Sequence, residues 1–118
     1  MDSKRFSILS FKYAFEGMFA ALKEELNLKI HFIIALLVLG LSYFLQIQRQ
    51  DWINVIIIIG LVFTVELTNT AIEAVVDAFT DKEHPGAKLA KDISAGAVLV
   101  VSIVAAIIGI IIFLPYLS

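Results

Sequence analysis

Glu66, Asn69, Glu73 and Asp77 fall within one short stretch, residues 66–77, that reads E-L-T-N-T-A-I-E-A-V-V-D. At 100° per residue, an α-helix sets these four side chains within about 80° of one another on a single face. The stretch follows directly on residues 52–65, whose only polar side chains are Asn54 and Thr64. Carboxylates are expensive at the level of lipid, and a helix that only had to span a membrane would not carry them. One reading is a polar seam that joins helices. The sharper reading is a site for a divalent cation and an anionic ligand.

Magnesium is a hard cation, held by one or two carboxylates with water and phosphate oxygens completing the shell. Glu73 suits that role, with Glu25 brought over from a neighbouring helix to the same membrane level. Glu66 lies about two turns deeper, where a carboxylate could take a proton from an alcohol in the lipid. Lys91 could neutralise phosphate as a point cation, with Asp92 beside it at the membrane edge. The chain contains no G-x-x-x-x-G-K-[ST] loop, no G-x-G-x-x-G and no H-R-D or D-F-G element. Any nucleotide chemistry must therefore use an unrelated construction. The residues alone lead as far as a metal and phosphate site at a membrane interface.

The elements that would position these groups are helical. Of the 118 residues, 60% are hydrophobic, and mean hydropathy is +0.94. The apolar residues come in three blocks, each with its flanking turns near the ~20 residues that cross a bilayer core. This predicts a single all-α membrane domain over residues 1–118, with spans over about residues 27–47, 52–79 and 92–117. Before them, Phe11, Phe15, Met18, Phe19, Leu22 and Leu26 recur at spacings of three and four, opposite Lys12, Glu16, Lys23 and Glu24. That pattern predicts an amphipathic surface helix over about residues 8–26, preceded by a loosely ordered stretch over residues 2–10.

Lys4, Arg5, Lys12, Lys23 and Lys29 precede the first span and Lys82, Lys88 and Lys91 lie between the second and third, against Arg49 alone between the first and second. The bias predicts a cytoplasmic N-terminus and second loop, with the carboxylate face at the cytoplasmic surface. Net charge is −2, with no basic block, so nucleic acid is not an expected partner. The absence of Cys excludes disulfides and thiolate chemistry. The N-terminus has no apolar core before a cleavage site, so a signal peptide is not expected there. Pro85 and Gly86 predict a turn within a charged loop over residues 80–92, which includes Asp81, Lys82, Glu83 and His84. Gly40, Gly60, Gly96 and Gly109 predict close helix contacts, and Tyr43, Trp52 and Tyr116 predict aromatic anchors at the interface. Three helices enclose little, so burial of the polar stripe predicts self-association. His31 reads equally as a satisfied interfacial histidine or as a functional one.

The stretch E-L-T-N-T-A-I-E-A-V-V-D, followed after a short loop by A-K-D-I-S-A-G-A-V, resembles the prokaryotic diacylglycerol kinase family, which includes the undecaprenol kinases of Gram-positive bacteria. The resemblance covers essentially the whole chain. It implies a homotrimeric lipid kinase of the bacterial plasma membrane, with composite sites between subunits, that transfers the γ-phosphoryl group of MgATP to a lipid hydroxyl. By resemblance, Glu66 matches the catalytic base and Asn69 the asparagine beside it, with Ser94 joining them on the acceptor side. Glu25 and Glu73 match the Mg²⁺ ligands. Together with Asp77, Lys91 and Asp92 they make the nucleotide side, with Tyr13 at the adenine end. Ala78 departs from the Gram-negative branch, which has an arginine there near phosphate. His31 and the E-H-P turn at residues 83–85 resemble the Gram-positive branch, which favours undecaprenol as acceptor; diacylglycerol is the alternative. Two other classes fit the residues less well. One is a small ion-coupled transporter, which would need a polar path through the outer half of the spans. The other is a non-catalytic subunit assembled through the polar stripe.

Overall fold

In the computed structural model, which describes residues 3–80 and 84–118, the chain forms four helices in the order α1 (Ser3–Glu24), α2 (Leu26–Phe44), α3 (Arg49–Phe79) and α4 (Pro85–Leu117). Asp2, Asp81, Lys82 and Glu83 lie outside the described residues, so the expectations resting on them are not addressed by the structure. The last three helices are long and apolar enough to cross a membrane. Their outer faces carry large apolar side chains in the open, among them Leu37 at 68% exposure and Ile110 at 63%. That is the inverse of a water-soluble surface and is what lipid-facing helices require.

Helices α3 and α4 make the most extensive pairing, and α2 packs on α3 without close backbone approach to α4. The centre of the molecule is therefore α3, with α2 and α4 on either side. An apolar cluster of Ile47, Val55, Ile112 and Phe113 closes one end, with Trp52 and Tyr116 packed against it. Tyr116 does more than anchor. Its hydroxyl donates to Asp51 Oδ2 and accepts from the Gln48 backbone N–H at 2.9 Å, tying the end of α4 to the start of α3. The turn from α2 into α3 ends α2 in a Schellman arrangement: Ile47 N–H donates to the Ser42 carbonyl and Gln46 N–H to that of Tyr43. Gln46 takes the left-handed conformation, φ 53°, that this motif needs.

Three sequence expectations are corrected. First, α1 begins at Ser3, so the stretch expected to be loose is helical from there. Second, Pro85 and Gly86 start a helix rather than interrupt one. Proline is favoured at the first helical position, and His84 Nδ1 caps α4 by accepting from the backbone N–H groups of Gly86 and Ala87 at 3.1 and 3.2 Å. Asp92 thus lies two turns inside α4. Third, a Cβ added at Gly40, Gly60, Gly96 or Gly109 meets nothing within 4 Å, so none of them serves a close helix contact within one chain.

Helix α3 spans 31 residues, about 46 Å at 1.5 Å per residue, well beyond the ~30 Å of a bilayer core. About twenty residues counted from Trp52 reach the early seventies, which leaves Glu66 at lipid level and carries Asp77 out past it. The hydroxyls of Thr64, Thr68 and Thr70 donate to the carbonyls of Gly60, Thr64 and Glu66 at 2.7, 2.7 and 3.0 Å. These polar side chains of α3 are thereby satisfied within their own helix.

Candidate active site

Glu25, Asn27, Glu66, Asn69, Thr70 and Glu73 line one cavity of about 150 Å³, floored by Leu28, Ala95 and Val98. Three elements build it. The carboxylate face of α3 supplies Glu66, Asn69 and Glu73 at helical spacing. The break between α1 and α2 supplies Glu25, whose backbone is extended at φ −98° and ψ 115°. As the residue before α2 its side chain could cap that helix, but it makes no capping bond. Its carboxylate is left to the cavity. Helix α4 supplies Ala95 and Val98.

Glu66 is 3% exposed. The sequence suggested that three helices could not bury the stripe without a second copy; α2 and α4 bury its deepest member within a single chain. A carboxylate so placed needs a partner, and the partner is His31 of α2, whose Nδ1 stands 2.7 Å from Glu66 Oε2. Neither atom makes a hydrogen bond among the described residues, so the pair is a close polar contact rather than an aligned hydrogen bond. Ser94, also buried, donates its hydroxyl to Asn69 Oδ1 across the α3–α4 contact. This bond engages the carboxamide oxygen of Asn69.

The polarity changes along α3. At the exposed end Lys91 Nζ pairs with Asp77 Oδ1 at 2.8 Å, and Lys88 Nζ with Asp92 Oδ2 at 2.6 Å one helical turn away. These four charges are outside the cavity lining but at the same end of the molecule. Lys91 stands beside Asp77, next to the position where Ala78 offers no cation of its own. Tyr13 lies on α1, 61% exposed, and does not line the cavity. The apolar face of α1, with Phe11, Phe15 and Phe19 at 58–68% exposure, is likewise uncovered by the rest of the chain.

No group of three or more His, Asp or Glu side chains among the described residues is arranged to enclose a metal ion. Glu25 and Glu73 facing one cavity nevertheless fit a cation that keeps most of its shell in water and phosphate oxygens, as magnesium does. They do not fit an ion held by protein ligands alone.

Two contacts of the site were not anticipated from the sequence: His31 with Glu66, and Ser94 with Asn69. The first had a signal. A lone ionisable residue in an apolar span calls for a partner, and Glu66 is the carboxylate that lies at comparable depth. For the second, the resemblance placed Ser94 on the acceptor side with Asn69, but the bond between the two side chains had no signal, because serine in a helix is commonly satisfied by its own backbone.

Residues 12–113 match the family model described as prokaryotic diacylglycerol kinase. The chain is 43% identical over 108 residues to the undecaprenol kinase of Bacillus subtilis, covering 92% of this chain and 88% of that protein. It is 36% identical to the diacylglycerol kinase of Synechocystis, covering 92% of this chain and 62% of the other. It is 34% identical over 95 residues to the diacylglycerol kinase of Escherichia coli strain K12, covering 80% and 78%.

Proposed function

The chain belongs to the prokaryotic diacylglycerol kinase family of membrane lipid kinases, and we propose that its acceptor is undecaprenol, which it converts to undecaprenyl phosphate at the expense of MgATP. The observation that carries the reaction is the single cavity shared by Glu25, Glu66, Asn69 and Glu73. The choice of acceptor is supported by the likeness to the undecaprenol kinase, higher in identity than that to either diacylglycerol kinase.

In this reading Glu66 accepts the proton of the lipid hydroxyl as its oxygen attacks the γ-phosphorus. The bond from that phosphorus to the β–γ bridging oxygen breaks, the new bond to the lipid oxygen forms, and ADP leaves. His31 holds the Glu66 carboxylate by its Oε2 atom, leaving the second oxygen toward the acceptor. Asn69, steadied by Ser94, offers its NH₂ group to the transferring phosphoryl oxygens. Glu25 and Glu73 would hold magnesium, which when bound screens the phosphate charge and orients the nucleotide. Lys91, Asp77 and Asp92 form the nucleotide side, with Tyr13 at its outer margin. The protein would act as a homotrimer in the bacterial plasma membrane, with the N-terminus and the carboxylate end cytoplasmic and α1 in the interface. The basic residues gathered at that end support this orientation.

The test is product identity. Purified protein in mixed micelles receives labelled ATP and equal mole fractions of undecaprenol and a diacylglycerol. Label in undecaprenyl phosphate is expected to predominate at least tenfold. Predominant label in phosphatidic acid would keep the chemistry and overturn the acceptor.

A further inference from the structure

Two cavities meet at one side-chain pair. On one side of His31 and Glu66 is the polar cavity described above. On the other is an apolar crevice of about 340 Å³ with α3 as its floor, α2 as one wall and α4 as the other. It holds more than twice the ~150 Å³ of a dry cavity that takes up benzene. Its lining includes Ile34 and Val38 of α2, Val62 of α3, and Ala105 and Gly109 of α4. His31 lines it as well, and His31 is the residue that touches Glu66. From Ser102 to Phe113 the crevice follows α4 for twelve residues, about 16 Å over the rises of 1.5 Å between them. The cluster of Ile47, Val55, Ile112 and Phe113 closes its far end.

We propose that this crevice receives the hydroxyl-proximal part of the acceptor's hydrocarbon chain, and that His31 at its neck marks where the hydroxyl meets Glu66. The inference rests on the lipid-kinase reading above and extends it to chain selection. An acceptor must bring its hydroxyl to a carboxylate that is 3% exposed. The polar cavity is the route for phosphate and cation. The apolar crevice is the route that desolvates no polar group, and a hydrocarbon chain in it replaces lipid contacts with protein contacts. A crevice closed at one end and bounded by two helices admits one chain. A prenol carries a single chain from its hydroxyl, whereas a diacylglycerol carries two that diverge close to it.

The competing occupant is a helix from a second copy, since Ser102, Ala105, Ala106 and Gly109 are the small residues helices pack against. A helix about 10 Å across fills roughly 1,250 Å³ over a 16 Å length. That exceeds the space free of atoms along the crevice, about 960 Å³. Seated there, a helix would also shut the apolar approach to Glu66.

The space can be filled without moving the backbone, because a Cβ at Gly109 meets nothing within 4 Å. Gly109→Leu and Ala105→Leu are assayed in micelles with undecaprenol and geraniol competing for the same labelled ATP. Geraniol shares the allylic alcohol, and its short chain ends nearer the neck. The product ratio does not depend on how much enzyme is folded. The ratio of undecaprenyl to geranyl phosphate is expected to fall at least tenfold in Gly109→Leu relative to the unaltered chain. Ile110→Phe, on the lipid-facing side at 63% exposure, is expected to leave it within twofold. An unchanged ratio in both filling variants overturns the proposal. So does an unchanged ratio accompanied by loss of cross-linked oligomer, which would give the crevice to a second copy. If the unaltered chain phosphorylates neither alcohol but does phosphorylate diacylglycerol, the acceptor reading above has failed instead.

Discussion

Replacing His31 with phenylalanine removes one interaction and keeps the volume of the ring. In the structure His31 Nδ1 and Glu66 Oε2 are 2.7 Å apart, neither is hydrogen-bonded among the described residues, and Glu66 is 3% exposed. Leaving a buried polar group without its close polar partner costs about 1–3 kcal/mol, and each 1.4 kcal/mol is a factor of ten, so the loss corresponds to about 5- to 140-fold. That loss should appear in kcat for lipid phosphorylation, because Glu66 is needed ionised and oriented as the proton leaves. The KM for ATP should stay within about twofold, since no nucleotide-side residue is touched. His31→Asn is the informative companion, because the asparagine Nδ2 occupies nearly the place of the histidine Nδ1 and can donate to the same oxygen. It should retain kcat within about fivefold. The assay is initial-rate phosphate transfer in mixed micelles, with ATP and lipid varied separately and folding followed by circular dichroism. A His31→Phe enzyme with kcat within twofold of the unaltered one would refute the role given to the pair. Equal impairment of the phenylalanine and asparagine variants would show that the ring matters and not the Nδ1 contact.

Other perturbations separate the remaining parts. Ser94→Ala releases Asn69 from its donor across the α3–α4 contact, and loss of one such bond of about 0.5–1.5 kcal/mol should lower kcat/KM some 2- to 12-fold. Removal of Mg²⁺ by chelation should abolish transfer, and Glu73→Gln should raise the Mg²⁺ concentration for half-maximal rate at least tenfold, read from a metal titration at fixed ATP. Lys91→Met breaks the pair with Asp77 at an exposed site where ion pairs add little stability. Its effect should fall on KM for ATP, with the unfolding temperature in detergent nearly unchanged. Tyr116→Phe should do the reverse, because its hydroxyl bonds to Asp51 and Gln48 at the far end of the molecule. It should lower the unfolding temperature by several degrees and leave the kinetic constants of the folded fraction intact.

Much of this arrangement was legible in the sequence. The apolar blocks marked the three long helices, because a helix must satisfy its backbone internally to sit in lipid and that requires length. The spacing of Glu66, Asn69 and Glu73 put them on one face by helical geometry alone, and they share one cavity. What was misread shows where local signals stop. Pro85 and Gly86 look like a break, yet proline opens a helix as readily as it ends one, and here His84 supplies the cap that decides it. The glycines suggested close helix contact, but composition cannot show whether a neighbour is there, and within the chain none is. His31 was ambiguous because its partner depends on the register of α2 against α3. Burial of Glu66 within one chain depends on the same register, and on α4 lying close behind α3.

The most direct test of the central claim, that Glu66 takes the acceptor's proton in this cavity, is single-turnover phosphate transfer by Glu66→Gln. Labelled ATP is bound first and undecaprenol is added. Glutamine keeps the size of the side chain and its hydrogen-bonding reach but cannot accept a proton. The expected result is a rate reduced about 10²- to 10⁴-fold, the range general-base catalysis supplies, with ATP affinity within about twofold of the unaltered protein. Transfer within tenfold of the unaltered rate would contradict the account and require the proton to leave by another route.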